Sequence, residues 1–217
     1  MKAELIEVSG LKGALLGMRL PMCKDLEEAK EKCGSWYLSD VISEDNKRLC
    51  KQLINGDKKA GSFGQPNSKF LRMIHAQICI TAPLYFWKEA DTYKIGTTAN
   101  STSTMHRLAN YPITRDCFEM YDYQVIGLND KLWDSIIENC EKLRQSYNET
   151  KDKLLWKEII RLLPESWLQT RMFDVDYQTL RNIYHWRKNH KLTEWQWLCS
   201  WIKENIPYAD ILICDEE

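Results

Sequence analysis

Between Phe70 and Arg107 the chain changes its hydrophobic period twice, and few folds accommodate that order. Ile74, Ala76, Ile78 and Ile80 alternate with His75, Gln77, Cys79 and Thr81. This period of two predicts a half-buried strand over Phe70–Thr81. Thr81 is placed to cap a helix with Pro83 in its first turn. Leu84, Trp87, Ala90 and Asp91 then share one side of that helix, and Gly96 supplies its C-cap. Beyond Gly96 come eight small residues, Thr97–Thr104, ending on Met105-His106-Arg107. The stretch reads as a loop rich in hydroxyls and backbone N–H groups. Such a loop suits an anionic or heteroaromatic ligand better than a packed core.

The remaining elements frame this segment. Glu4–Val8 reads as a short strand, and Leu11–Leu20 (LKGALLGMRL), apolar with two glycines, as a strand or strand–turn. Asp25–Lys32 and Glu44–Leu53 read as surface helices, with Lys58–Ser68 as a loop. Asp130–Glu149 and Lys151–Leu163 are long helical segments broken around Asn148, and Pro164 stops the second. Gln169–Asp176 reads as a strand. Tyr177–Lys188 and Leu192–Asn205 read as two helices joined at Asn189-His190. The order predicts an α+β fold, a sheet backed by long helices. The sequence has no Pro- or Gly-rich linker, low-complexity run or internal repeat. Its 217 residues suffice for one full core, so residues 1–217 are expected to form a single domain.

Charge and cysteine usage narrow the function classes. Thirty basic against 31 acidic side chains leave a formal charge of −1, which argues against a mainly electrostatic nucleic-acid binder. No apolar run approaches the ~20 residues of a membrane span. Glu4 and Glu7 sit where a signal peptide needs an apolar stretch, so export is not expected. The eight cysteines form no CxxC pair, and they read as reduced cytoplasmic thiols, several in the core. Trp186, Trp195, Trp197 and Trp201, four of the nine tryptophans, cluster near the C-terminus. Core packing, a subunit interface and stacking on a ligand ring all fit them.

Arg187 is the charged residue with the most constrained position. Leu180, Ile183, Tyr184 and Arg187 fall at i, i+3, i+4 and i+7, so a guanidinium continues an apolar stripe. It must snorkel outward, pair with an acid, or meet a ligand. Arg161, just before Leu162-Leu163-Pro164, sits at a helix end, where it complements the dipole or serves a ligand. His106 and His190 are lone histidines without a partner at metal spacing. No Ser–His–Asp arrangement, GxGxxG or GxxxxGK[ST] is present. From the residues alone the chain is an α+β protein with a polar, Thr/Ser-rich loop and basic residues able to reach it.

Arg72–Arg107 resembles the strand–helix–loop of the flavin-dependent thymidylate synthases. That family's pattern is a helix opening like APIF, an RHR triplet, a small-residue step, then N-E-x-S-x-R-Y. Here the opening is Ala82-Pro83-Leu84-Tyr85, the triplet position holds Thr92-Tyr93-Lys94, and Ile95-Gly96-Thr97 follows. Asn100 and Ser103 fall on the motif's Asn and Ser, allowing one inserted residue. Arg161-Leu162-Leu163-Pro164 matches the R-x-L-P element whose Arg binds substrate. Leu180–Arg187 matches the helix whose Asn touches the flavin and whose Arg binds and polarises the uracil. His190 lies about one position from the family's flavin-side His. The resemblance covers roughly residues 68–205. Departures are clear: only Lys94 keeps a charge in the triplet. Met105 replaces the phosphate-binding Arg, Ser101 the Glu, and Asp176-Tyr177-Gln178 the Asn-x-Arg.

The resemblance implies the family's fold, an antiparallel-rich sheet backed by long helices. It also implies a homotetramer with active sites at subunit interfaces. By the same resemblance the chain is an FAD-dependent enzyme that methylates dUMP to dTMP, with methylene-tetrahydrofolate and NADPH as co-substrates. Arg187 is then catalytic and substrate-binding, with Arg161, Ser103 and Arg107 also on the substrate. Tyr93, Lys94, Asn100, Asn182 and His190 are then on the flavin. The degraded triplet keeps a second reading open: a non-catalytic or altered-substrate nucleotide-binding protein that retains the fold and pocket.

Overall fold

The computed structural model of the chain describes residues 1–34, 41–59, 61, 66–104, 108–120 and 130–214. Among them are four strands: β1 (Lys2–Ser9), β2 (His75–Pro83), β3 (Thr97–Ser101) and β4 (Leu168–Asp176). They pair as one antiparallel sheet in the order β1-β2-β4-β3. The helices are α1 (Leu11–Arg19), α2 (Leu26–Cys33), α3 (Glu44–Lys59) and α4 (Leu84–Ala90). After them come α5 (Asp130–Thr150), α6 (Lys153–Leu162), α7 (Tyr177–Arg187), α8 (Thr193–Asn205) and α9 (Ala209–Leu212). The fold is α+β, as the sequence predicts. No helix among the described residues is long and apolar enough to cross a membrane.

The chain divides into two compact units. The first comprises Met1–Lys2, Ile80–Thr92 and Asn100–Arg171; the second comprises Ala3–Cys79, Tyr93–Ala99 and Met172–Glu217.

In the first unit α5 and α6 enclose an apolar core of Leu108, Ile113, Phe118, Ile137, Cys140, Ile159 and Trp167. The break between the helices falls at Lys151, which takes a left-handed φ of 56°, slightly later than the sequence reading around Asn148. Asp152 then caps α6 by accepting from the Leu154 N–H at 2.8 Å. Glu141 of α5 holds the preceding turn in place. Its carboxylate accepts from the Ile113 N–H (2.8 Å), from Arg144 Nε and Nη2 (2.7 and 2.6 Å) and from Gln145 (2.9 Å).

The Arg144 hydrogen bonds chiefly lower the Glu141 pKa, from an ordinary 4.5 to about 2. A depressed carboxylate stabilises the fold above its unfolded pKa, and that stability is lost as pH falls from about 4.5 to about 2. The pair is only 13% and 20% exposed, so screening removes part of the linkage, leaving about 2 kcal/mol. Glu141→Gln is therefore expected to lose about 2 kcal/mol in urea unfolding at pH 7. The gap from the wild type should shrink below pH 4.5, and an undiminished gap at pH 3 would contradict the assignment.

Helix α4 is shorter than its sequence pattern. Thr81 does not cap it but stays in β2, its hydroxyl 2.8 Å from that of Thr170. Pro83 is the N-cap residue. The first amides of α4, at Leu84 and Tyr85, donate to the Trp167 and Glu165 carbonyls at 3.1 and 3.2 Å. The helix stops at Ala90 with Asp91 as C-cap, so Gly96 is not its cap. Arg171 fixes that end: it binds Asp91 at 2.7 Å and stacks 4.4 Å over the Trp87 ring. Trp87 is buried, its Nε1 donating to the Gln169 carbonyl at 3.0 Å.

The small-residue stretch is not wholly a loop, because Thr97–Ser101 is β3 at the sheet edge. Thr102 follows with its N–H on the Thr170 carbonyl (2.8 Å) and its carbonyl accepting from Gln169 Nε2 (3.0 Å). This stretch pairs its backbone with β4 on one side, and Thr102 extends that pairing. Met105, His106 and Arg107 lie outside the described residues, as do residues 60 and 62–65 of the Lys58–Ser68 loop. Lys58 and Lys59 are helical, since α3 runs on to Lys59.

In the second unit the main departure is Leu11–Leu20, a helix and not a strand. Ala14, Leu15 and Met18 fall on one buried face of α1. Met73 lies over Gly13 and Gly17 of α1, its side-chain atoms 3.6–3.9 Å from where their Cβ atoms would be, an ordinary contact distance. The alternation in β2 is as read: Ile74, just before it, Ala76, Ile78 and Ile80 are at most 1% exposed. Its partner strand leads directly into α7, whose first N–H, on Tyr177, donates to the Ile74 carbonyl at 2.9 Å.

Candidate functional site

The site centres on the end of α7. Asp176 starts that helix: its carboxylate accepts from the Thr179 N–H at 2.6 Å, and its own N–H donates to the Gly96 carbonyl at 2.9 Å. Thr179 Oγ1 donates to the Ile95 carbonyl at 3.0 Å. The 93–96 turn is thereby tied to the first turn of α7. Gly96 has φ +70°, and a Cβ there would lie 2.0 Å from Asp176 Oδ2. Only glycine fits both the left-handed conformation and the approach of the capping carboxylate. The Thr97 hydroxyl donates to the Tyr93 carbonyl and closes the turn.

This turn presents Tyr93 to Arg187. Arg187 Nε donates to Tyr93 Oη at 3.0 Å, and the guanidinium carbon lies 5.7 Å from the Tyr93 ring centroid. The same carbon lies 5.0 Å from the centroid of Trp195, which is 1% exposed. Two aromatic faces therefore hold the end of the apolar stripe. The charge that the sequence places on an apolar stripe is accommodated by seating the guanidinium between two rings. Arg187 Nη1 is also 2.8 Å from His190 Nε2.

His190 is itself fixed in the turn to α8. Its N–H donates to the Arg187 carbonyl (3.0 Å), and its carbonyl accepts from Gln196 Nε2 at 2.6 Å. The Leu192 N–H points at Nδ1 from 3.2 Å. A neutral imidazole offers one donor and one acceptor nitrogen, yet donors approach both. The tautomer decides which of the two contacts uses the ring's single acceptor nitrogen, and the 2.8 Å contact to Arg187 is the shorter.

The other sequence-predicted residues are dispersed. Lys94 is exposed beside Tyr93. Asn182 is on α7, where it accepts from Gln178 Nε2 at 3.2 Å. At 100° per residue it lies roughly 140° around the helix from Arg187. Asn100, Ser103 and Arg161 belong to the first unit. Asn100 is exposed on β3, Ser103 is half-buried just after it, and Arg161 pairs with Glu158 at 3.0 Å on the α6 surface. Arg107 lies outside the described residues.

Two residues of interest escaped the sequence reading. Trp195 was one tryptophan among a cluster, and no spacing marks it as the ring beneath Arg187. Gln178 is 4% exposed, and its Oε1 has no hydrogen-bond partner among the described residues. Its only sequence signal is its position in Asp176-Tyr177-Gln178. Burial raises the Cys50 and Cys199 thiols to about 12 and pushes Cys140 up as well, so these three are not ready nucleophiles. For Cys199 the nearby Arg187 charge does not offset that burial.

No family model and no curated protein matches the sequence. Solved structures match over nearly the whole chain. A crystal structure of the flavin-dependent thymidylate synthase ThyX from Helicobacter pylori, complexed with FAD and dUMP, aligns with TM-score 0.67 and 16% identity, covering 98% of each chain. A second structure of that enzyme with FAD and dUMP gives TM-score 0.68 and 17% identity over 95% of this chain and 94% of the other. The UMP/dUMP methylase PolB from Streptomyces cacaoi, bound with 5-Br dUMP, aligns with TM-score 0.62 and 11% identity over 97% and 90%. The fold is therefore that of the flavin-dependent thymidylate synthases, the fold the sequence resemblance implies.

Proposed function

We propose that this chain is an FAD-dependent enzyme acting on a uridine nucleotide, methylating dUMP to dTMP with methylene-tetrahydrofolate and NADPH. The observation that carries the reading is the Arg187 guanidinium, held between Tyr93 and Trp195 at the end of an apolar stripe, with Nη1 2.8 Å from His190 Nε2. In this reading a uracil carbonyl accepts an N–H from that guanidinium. Negative charge developing on the ring is then stabilised by a preorganised cation. Arg161, Ser103 and Arg107 hold the rest of the substrate.

The residues around α7 fit a flavin. Gln178 and Asn182 bring two side-chain amides together on α7 at 3.2 Å, groups of the kind that recognise a ring bearing N–H and C=O groups. Asn182, His190, Tyr93, Lys94 and Asn100 contact the cofactor in this reading. FAD supplies redox chemistry when bound, so the protein itself needs no nucleophile. The protein acts as a homotetramer in the cytoplasm.

A second reading, a binding protein for a different nucleotide, draws on Asp176. Its carboxylate is committed to the helix cap and lies against Gly96, where the family pattern has an Asn. Lys94 also cannot reproduce the bidentate grip of an arginine on phosphate. Incubating the FAD-loaded protein with dUMP, methylene-tetrahydrofolate and NADPH separates the two. Formation of dTMP supports the enzyme. Tight dUMP binding without dTMP supports the second reading.

A further inference from the structure

Gln178 is a polar side chain in an interior position. It stands in the first turn of α7 and is 4% exposed. Its Nε2 donates to Asn182 Oδ1, one turn later, at 3.2 Å. Its Oε1 is buried and has no hydrogen-bond partner among the described residues. Burying an amide with its carbonyl unmet costs free energy that an apolar side chain of the same length avoids. One neutral hydrogen bond to a half-buried neighbour offsets little of that cost.

What the pair achieves is orientation. Gln178 engages the Asn182 carbonyl oxygen, while the Asn182 amino group has no partner among the described residues. Asn182 is half-buried, so its amino group is the part of the amide open to a ligand. Turning both amides over would bury the Gln178 amino group where Oε1 now lies. An unpaired buried N–H is a rarer and costlier state than an under-satisfied carbonyl, so the observed arrangement is the favoured one. The backbone beneath Gln178 is held on both sides. The Tyr177 N–H donates to the Ile74 carbonyl at 2.9 Å and its hydroxyl to the Pro207 carbonyl at 3.0 Å. On the other side the Thr179 N–H donates to Asp176 at 2.6 Å.

We propose that Gln178 is a positioning residue: it turns the Asn182 carboxamide so that its amino group, and not its carbonyl, meets the cofactor ring. The inference rests on the flavin reading and deepens it. An amide NH₂ donates and does not accept, so it selects a carbonyl oxygen on the ring edge, and the pyrimidine ring of an isoalloxazine carries two. Gln178 is too deeply buried to reach that ring and acts through Asn182. It is a feature of this chain, since Gln178 stands where the family pattern has an arginine.

FAD titration by visible absorbance, paired with thermal unfolding, tests this on the wild type, Gln178→Met, Asn182→Ala and the double variant. Gln178→Met should unfold at the wild-type temperature or above it, because it removes a buried carbonyl without a partner. It should nevertheless bind FAD about five- to tenfold more weakly, the loss of one oriented hydrogen bond. In the Asn182→Ala background the same substitution should weaken FAD no further, because both changes act on one contact. A purely structural Gln178 would move stability and binding together.

A wild type that takes up no FAD removes the flavin reading and this inference with it. Where the wild type does bind FAD, four results overturn the inference alone. One is unchanged FAD affinity in Gln178→Met, and another is unchanged affinity in Asn182→Ala. The third is a lowered unfolding temperature accompanying the weaker binding of Gln178→Met, which makes Gln178 structural. The fourth is a double variant whose losses add, which shows that Gln178 does not act through Asn182.

Discussion

Arg187→Ala is expected to lower turnover of dUMP by about 10² to 10³-fold, the usual cost of removing one preorganised group that stabilises developing charge. The fold should survive. Arg187 loses its contacts with Tyr93 and Trp195, worth about 1 kcal/mol, and a shift of a few degrees in Tm follows. Arg187→Lys should rescue little, because an ammonium can neither spread over two rings nor present paired donors to a carbonyl. The loss should fall on kcat more than on KM, since the interaction strengthens in the transition state. Steady-state kinetics of both variants checks this. Full activity in either would remove Arg187 from its role.

Gly96→Ala should have the largest effect on stability. The residue has φ +70°, and its new Cβ would meet Asp176 Oδ2 at 2.0 Å and Cγ at 2.5 Å. An alanine in the left-handed region costs about 1 kcal/mol. Displacing Asp176 also loses the α7 cap, worth about 1 to 2 kcal/mol. Together these predict a loss of about 3 kcal/mol and a fall of roughly 6–12 °C in Tm. Tyr93 lies in the same turn and α7 carries Arg187, so activity should fall with stability. Asp176→Ala alone removes the cap, and its cost should not add to that of Gly96→Ala, because both act on one contact. Thermal unfolding of the two single variants and the double variant measures this. Additive losses would show that the Gly96–Asp176 approach does not hold the turn.

What could be read from the sequence follows from the range of the forces involved. The β2 alternation, the α5–α6 pair and the α7–α8 turn rest on local periodicity and on Pro and Asn punctuation, so they were visible. Leu11–Leu20 misled because its two glycines resemble strand or turn residues. The buried face of Ala14, Leu15 and Met18 at helical spacing is what marks the segment as α1. Thr81 has the side chain of a helix cap, but the Thr170 hydroxyl on the adjacent strand claims it. Gly96 was correctly singled out and wrongly explained: its partner is the Asp176 carboxylate, 80 residues later. Arg187 stood out because a charge on an apolar stripe needs a reason. The reason itself, the pair of rings from Tyr93 and Trp195, required the fold.

The visible absorbance spectrum of the purified chain with added FAD, before and after titration with dUMP, tests the central claim most directly. The account predicts a bound-flavin spectrum that dUMP perturbs in a saturable way, with the perturbation lost in Arg187→Ala. A chain that takes up no FAD, or whose flavin spectrum ignores dUMP, would contradict it.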